Sequence, residues 1–275
     1  MSTLRVLFVG DVVGNTGCQM YQKHIDKLCR EHNIDAVIVN GENSSSRGRG
    51  ITPRLVHFFK RNRANVVTSG NHIWFKREIY SYLEQNTDLL RPANFPSETP
   101  GVGVTTFECK GNTIGVINVQ GRVFMRENLD CPFRTIDSLL MYLKDKTNII
   151  FIDFHAEVTS EKMAMGFYAD GRVSGVVGTH THVQTADERI LPKGTGFITD
   201  LGMVGSLNSM LGMQKEPILH NFLTQLPVRF EVETSSPVLL SGVWMEVDTQ
   251  TGKTVHIERV RIVDEDLDVE GGLQD

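Results

Sequence analysis

Five short apolar runs in this chain close in the same manner, and that repeated ending constrains the fold more than any other feature. Leu4–Val9, Asp35–Val39, Asn65–Ser69, Asn148–Phe154 and Val173–Val177 are mostly rich in valine and isoleucine and too short for buried helices, so they read as strands. Each leads into a side chain able to hold a metal or a proton: Val9-Gly10-Asp11, Asn40-Gly41-Glu42-Asn43, Ser69-Gly70-Asn71, Asp153-Phe154-His155 and Gly178-Thr179-His180-Thr181-His182. Glycine precedes the polar end in all but the Phe154 case, which lets the backbone turn sharply off the strand. Read as extended backbone, His180 and His182 point to one side, because side chains alternate with period two.

Helical patterns separate these runs. Thr16–His32 carries Met20, Tyr21, Ile25 and Leu28 on one face, and Thr52-Pro53 suits a helix cap and first turn. Lys76–Leu83, Pro132–Lys144, Thr159–Tyr168 and Glu216–Leu226 are further expected helices. Val102–Glu108 and Thr113–Val119 flank Lys110-Gly111-Asn112 as a hairpin, and Gly196–Thr199 is a short strand ending at Asp200. Val228–Val232, Val238–Val247 and Thr254–Val263 are expected as antiparallel strands. Strands alternating with helices predict an α/β fold with a largely parallel sheet, whose strand ends share one edge where ligands bind. Residues 1–263 read as a single domain, and residues 264–275, with six carboxylates, read as a frayed acidic tail.

The bulk numbers exclude some partners. A net charge of -5 gives no global attraction to nucleic acid or anionic membrane. No apolar run approaches the ~20 residues of a membrane span, and the N-terminal run is too short for a signal peptide. Cys18, Cys29, Cys109 and Cys131 contain no C-x-x-C pair, so free thiols in the cytoplasm are expected.

The converging set is Asp11, Glu42, Asn43, Asn71, His155, His180 and His182. These nitrogen and oxygen ligands exceed the needs of one tetrahedral ion and suit two divalent ions sharing a carboxylate. Without cysteine, manganese, iron or zinc fits better than a thiolate-selected ion. Two such ions outweigh the two carboxylates, so the centre favours an anion; a bridging hydroxide and a phosphodiester would complete the balance. Paired ions activate water and stabilise both oxygens of an in-line displacement. Asp11 as a turn cap, Asn43 and Asn71 as turn formers and His155 as a core histidine are the plainer alternatives. His24, His32, His57, His220 and His256 lie off the strand ends. Arg47, Arg49 and Arg122 read either as phosphate contacts or as ordinary surface charges, and Met203, Met210 and Met213 as a substrate wall or a contact between copies.

Gly70-Asn71-His72 and Gly178-Thr179-His180-Thr181-His182, after Asp11 and with one histidine between, resemble the calcineurin-like metallophosphoesterase superfamily. Gly10-Asp11-Val12-Val13-Gly14, Asn40 to Asn43, Arg91-Pro92-Ala93-Asn94-Phe95-Pro96, Gly178 to Asp187 and Ile190-Leu191-Pro192-Lys193-Gly194-Thr195 are similar in more detail to its YmdB family of bacterial enzymes, and the likeness runs from about Arg5 to Val263. The resemblance implies a four-layer α/β/β/α sandwich. It implies one ion, iron or manganese with zinc as an option, on Asp11, Glu42, Asn43 and His182. The other would lie on Glu42, Asn71, His155 and His180, with Glu42 as the bridge. It further implies hydrolysis of phosphodiesters, notably 2′,3′-cyclic nucleotides or related RNA ends, by a metal-bridging hydroxide, while His72 gives a proton to the leaving oxygen. Departures from the wider superfamily are Val12-Val13 where D-x-H has histidine, Gly41-Glu42 in place of its G-D segment, and Ile73 where an acid follows the catalytic histidine. A different dimetal hydrolase, such as an amidohydrolase, and a regulatory protein that only binds nucleotide or RNA are the rival readings.

Overall fold

The computed structural model describes residues 2–268. The first part of the chain forms β1 (Thr3–Val9), β2 (Asp11–Val12), α1 (Gly14–Glu31), β3 (Ala36–Asn40), α2 (Pro53–Arg61), β4 (Ala64–Thr68) and α3 (Ile79–Gln85). The middle forms β5 (Val104–Cys109), β6 (Asn112–Gln120), α4 (Pro132–Leu143), β7 (Ile149–His155), α5 (Thr159–Ala169), β8 (Gly175–Thr179), β9 (Arg189–Ile190) and β10 (Gly196–Ile198). The chain then returns through β11 (Met203–Ser206), α6 (Lys215–Thr224), β12 (Val238–Asp248) and β13 (Thr254–Asp264).

Two sheets result. In the first, β1, β3 and β4 are parallel, and the long β12 runs antiparallel beside β1 and β11, with β13 on its other edge. In the second, β6, β7, β8 and β10 are parallel, and β5 and β9 add antiparallel edges. Period-two alternation sorts the side chains. Leu4, Val6 and Phe8 of β1 face Ile114, Val116 and Phe151 of the second sheet, with the Phe8 and Phe151 rings 4.9 Å apart. Leu7 and Val9 face the opposite way, into a core shared with α1, α2 and α3. On the far side Ile117, Ile152 and Phe154 pack under α4 and α5. The arrangement is helices, sheet, sheet, helices, the four-layer sandwich expected.

Most sequence-predicted elements form within a residue or two, and Thr52 caps α2 by accepting from Leu55 N–H. Val228–Val232 does not form a strand. That segment leaves both sheets and lies along Gly212–Gln214, where Gln214 N donates to Glu231 O at 2.9 Å and Glu233 N to Gly212 O at 2.9 Å. The short β2, β9 and β11 carry too few residues to show a period, and none was expected. The part of the acidic tail within the described residues is tied down: Asp264 closes β13 and Leu267 is buried. Residues 269–275 lie outside the described residues.

Candidate metal centre

The parallel strands of both sheets end at one place. Asp11 opens β2 just beyond β1, Glu42 and Asn43 follow β3, and Asn71 follows β4. His155 is the last residue of β7, and His180 and His182 follow β8. Candidate ligands far apart in sequence touch there. His155 Nε2 lies 3.2 Å from Glu42 Oε1, 3.0 Å from Asn71 Oδ1 and 3.0 Å from His180 Nδ1. Glu42, His155 and His180 alone offer ligand atoms all within 4.8 Å of one another. Beside them His182 Nε2 is 3.8 Å from Asp11 Oδ1 and 3.1 Å from Asn43 Nδ2.

Glycine works here by close approach rather than by a left-handed turn. None of Gly10, Gly41, Gly70 and Gly178 has positive φ. A Cβ on Gly70 would stand 2.2 Å from His155 Nε2, and one on Gly178 would stand 1.7 Å from the Thr199 carbonyl oxygen. The left-handed positions fall instead on the histidines, with φ of 102° at His180 and 64° at His182. The strand stops at Thr179, so extended alternation does not aim these two side chains; a strained loop does.

Each imidazole is held so that one nitrogen faces the centre. His182 Nδ1–H donates to Leu211 O at 2.9 Å, because a carbonyl can only accept. His180 Nε2 meets the Glu157 carboxylate at 3.2 Å. Thr179 Oγ1 gives its hydrogen to Asp153 Oδ1 at 2.7 Å and so accepts from His155 Nδ1 at 3.0 Å. The inward nitrogens are then His155 Nε2, His180 Nδ1 and His182 Nε2, and such outward partners are what orient metal-binding histidines.

The charges want a cation. Asp11 and Glu42 are buried, and Asp11 Oδ1 has no hydrogen-bond partner. Burial raises the Asp11 carboxyl against the pull of His182 and His155. Burial works upward on Glu42 too, but His155 and His72 outweigh it and hold that carboxyl well below its ordinary value. Burial works downward on His155, yet Glu42 and Asp11 push it up to about 9; burial and the neighbouring His155 bring His180 down to about 3. A cluster that draws a proton this strongly satisfies a divalent ion by the same field. An orphaned buried oxygen, three aimed nitrogens and an all-nitrogen and oxygen donor set therefore fit the implied ions.

Two expected residues are less direct. Asn43 lies in the cluster, but Nδ2 points to Glu42 Oε1 at 3.2 Å, and Oδ1 meets His72 Nδ1 at 2.7 Å. A half-turn of the amide exchanges the two ends. His72 is at the mouth, with its backbone N–H on Glu42 Oε2 at 3.1 Å and its ring edge-on to Phe75. Asn43 meets His72 Nδ1 in either orientation, accepting through Oδ1 as placed and donating through Nδ2 when turned, where Ile73 offers no partner. Arg122 lies apart: its backbone N–H donates to Glu161.

Sequence reasoning missed Glu157, Asp153, Thr179 and the Leu211 carbonyl. Asp153 stands two residues before His155 and so on the same side of β7, a signal that was present; Glu157 and Leu211 arrive on loops and carried none. It also missed Lys162 and Asp200, a buried pair at 2.5 Å whose carboxylate accepts from Thr181 N and Oγ1, between the two histidines.

The chain is similar to known proteins over nearly its whole length. A 2′,3′-cyclic-nucleotide 2′-phosphodiesterase of Bacillus subtilis (strain 168) is 48% identical over 264 residues, 96% of this chain and 99% of that protein. The crystal structure of a Mycoplasma pneumoniae protein described as a novel phosphatase superposes with a TM-score of 0.90 at 35% identity, covering 97% of this chain and 95% of that one. A Thermus thermophilus protein described only as hypothetical superposes with a TM-score of 0.87 at 38% identity, covering 95% of this chain and 100% of that one. A family model described as YmdB-like protein matches residues 7–260, and with the four-layer fold these matches make the chain a member of the YmdB-like family of metallophosphoesterases.

Proposed function

We propose that this protein is a dinuclear metal-dependent phosphodiesterase acting on 2′,3′-cyclic nucleotides. The observation that carries the proposal is the convergence of the unpartnered Asp11 Oδ1 with three imidazole nitrogens whose outer partners aim them inward. The 48% identity to a 2′,3′-cyclic-nucleotide 2′-phosphodiesterase supports the substrate. Asp11, Glu42, Asn43 with its amide turned, and His182 would hold one ion; Glu42, Asn71, His155 and His180 would hold the other. Iron or manganese suits the donor set, and zinc is accommodated by it. When bound, such ions supply a water nucleophile at neutral pH and screen the phosphoryl oxygens.

The chain's own groups do the rest. Glu42 joins the two halves of the centre, and Glu157, Thr179 and Leu211 keep the histidines in one tautomer. With the amide turned, Asn43 Nδ2 donates to His72 Nδ1, so His72 carries a proton on Nε2 and gives it to the ribose oxygen that leaves phosphorus as the water oxygen bonds to phosphorus. Residues 1–263 act as one catalytic domain in this reading. A cytoplasmic setting suits four cysteines that contain no C-x-x-C pair; no described helix is long and apolar enough to cross a membrane. A homo-oligomer suits α6, which buries none of its residues and exposes Leu219, Phe222 and Leu223.

The test is hydrolysis of 2′,3′-cyclic AMP with added manganese, with metal content measured on the same preparation. Glu42→Gln, stripped and reloaded, is expected to lose metal and at least about 100-fold in activity, the scale of losing an essential electrostatic group. Full activity in that variant would remove the bridge. Amide hydrolysis without diesterase activity would favour the amidohydrolase reading.

A further inference from the structure

The metal centre opens into a cavity of about 310 Å³, and a second cavity of about 460 Å³ continues from it through shared walls at Arg49, Met213 and Phe230. A third, of about 320 Å³, joins the second at Arg47, Arg229 and Phe230. Among the described residues the middle cavity is lined by Arg47, Arg49, Lys76 and Arg229 and by no carboxylate, although the whole chain carries a net charge of -5. Glu231 comes within 3.8 Å of Arg229, at the far end of the groove. Two aromatic rings line the same wall, Phe75 with 57% and Phe230 with 42% of its surface exposed. Phe75 also packs edge-on to His72 at 4.8 Å, so it stands where the groove meets the centre. Arg47 and Arg49 are presented by a loop closed by its own hydrogen bonds: Ser45 N donates to Gly50 O at 3.0 Å, and Ser45 Oγ to Arg49 O at 2.6 Å.

A cyclic mononucleotide carries one phosphate, and the metal centre takes it. The arginines farther along have nothing to bind on such a substrate. Cations spaced along a groove with exposed rings between them are the equipment for a single-stranded nucleic-acid chain: the cations follow the phosphates and the rings stack unpaired bases. A 2′,3′-cyclic phosphate requires a 2′-hydroxyl, so the chain is RNA.

We infer that the Arg47, Arg49 and Arg229 groove takes the 5′-ward nucleotides of a single-stranded oligoribonucleotide whose 2′,3′-cyclic phosphate end lies at the metal centre. The inference rests on the proposed phosphodiesterase reading and names its substrate class. The reaction that supplies such an end is RNA cleavage in which the 2′-oxygen displaces the 5′-oxygen of the next nucleotide.

The experiment compares kcat/KM for 2′,3′-cyclic AMP and for an oligoribonucleotide of about five nucleotides with the same terminus, in the wild type, in Arg49→Ala and in Arg47→Ala/Arg229→Ala. Binding of the 5′-labelled oligonucleotide is followed by fluorescence anisotropy at several salt concentrations. The oligonucleotide is expected to be preferred, and each variant is expected to lower its kcat/KM relative to the mononucleotide at least tenfold, through KM. Contact with about three phosphates weakens single-strand binding about 20-fold between roughly 50 and roughly 200 mM salt, and the double variant reduces that slope by about 1.4. Hydrolysis of both substrates with no preference for the oligonucleotide, or with a preference the variants do not change, overturns the groove and leaves the phosphodiesterase reading standing. If neither substrate is hydrolysed that reading fails, and the anisotropy decides the groove alone: salt-sensitive, arginine-dependent binding keeps it, and no binding overturns it.

Discussion

Gly70→Ala places one methyl group against Nε2 of His155, the atom proposed to bind metal. The added Cβ would lie 2.2 Å from His155 Nε2 and Cδ2, whereas ordinary contact begins near 3.4 Å, so the ring must retreat by about 1.2 Å. The ring has little freedom to do so. His155 is fully buried, and Nδ1 is fixed by Thr179 Oγ1 at 3.0 Å, itself fixed by Asp153. Metal–ligand distances tolerate about 0.2 Å, so a retreat six times larger takes Nε2 out of any coordination sphere it shares with Glu42 and Asn71. Disturbing only the outer partner of a ligand costs about 10- to 100-fold in metal affinity, and displacing the ligand should cost at least the upper figure. Overpacking costs about 1–3 kcal/mol of stability, enough to measure but not to unfold a domain of this size. The assays are metal content after dialysis, hydrolysis of 2′,3′-cyclic AMP and urea unfolding. Gly205→Ala is the control, since its Cβ would meet nothing closer than 3.5 Å. Gly70→Ala protein retaining full metal and full activity would refute the claim that close approach is why glycine precedes the ligand there.

Further outcomes follow from the surroundings of the site. Glu157→Ala removes the carboxylate that holds His180 Nε2, and metal affinity should fall about 10- to 100-fold; isothermal titration with unchanged affinity would deny it that role. Lys162→Met leaves Asp200 buried without its cation and should cost about 3–5 kcal/mol, read by urea unfolding; a loss below 1 kcal/mol, roughly the value of an exposed pair, would contradict the burial argument. The Lys23 ammonium, against partial burial and with help from His24, holds the Asp264 carboxyl below its ordinary value. That stability is complete above the ordinary carboxylate pKa and is lost as pH falls through the lowered folded value, so Asp264→Asn should flatten part of the acid limb of the melting-temperature profile.

The strand ends were legible because two independent signals coincide there: a short valine- and isoleucine-rich run fixes where a strand lies, and the polar residue after it fixes where it stops. Parallel topology then brings residues such as Glu42 and His155 together without any local sequence signal for their contact. The geometry of the histidine pair was not legible. Period two describes a strand, and His180 and His182 are past the end of β8 on left-handed backbone. Their aim comes from tertiary partners, the Glu157 carboxylate, the Leu211 carbonyl and Asp200 behind Thr181, and no spacing rule reaches those. Val228–Val232 shows the same limit from the other side. Its alternation suits a strand, but an alternating segment becomes one only where a neighbour offers a free edge; here it follows Gly212–Gln214 and contributes Arg229 and Phe230 to the groove instead.

The division of ligands between the two sheets has a consequence for the whole fold. The carboxylates and amides, Asp11, Glu42, Asn43 and Asn71, come from strand ends of the first sheet. The imidazoles, His155, His180 and His182, come from the second. Among the seven proposed ligands, both carboxylates come from the first sheet and all three imidazoles from the second. Their apposition depends on the apolar layer between the sheets, where Phe8 meets Phe151 only a few residues below Asp11 and His155. A cation held between the two sets would draw them together at the one end of that layer where the buried carboxylates lie. Ion binding to the folded state alone adds to its stability by mass action. In the proposed dinuclear reading, metal occupancy and the docking of the two sheets are coupled, and substitutions in the Phe8–Phe151 layer should lower metal affinity without touching a proposed ligand.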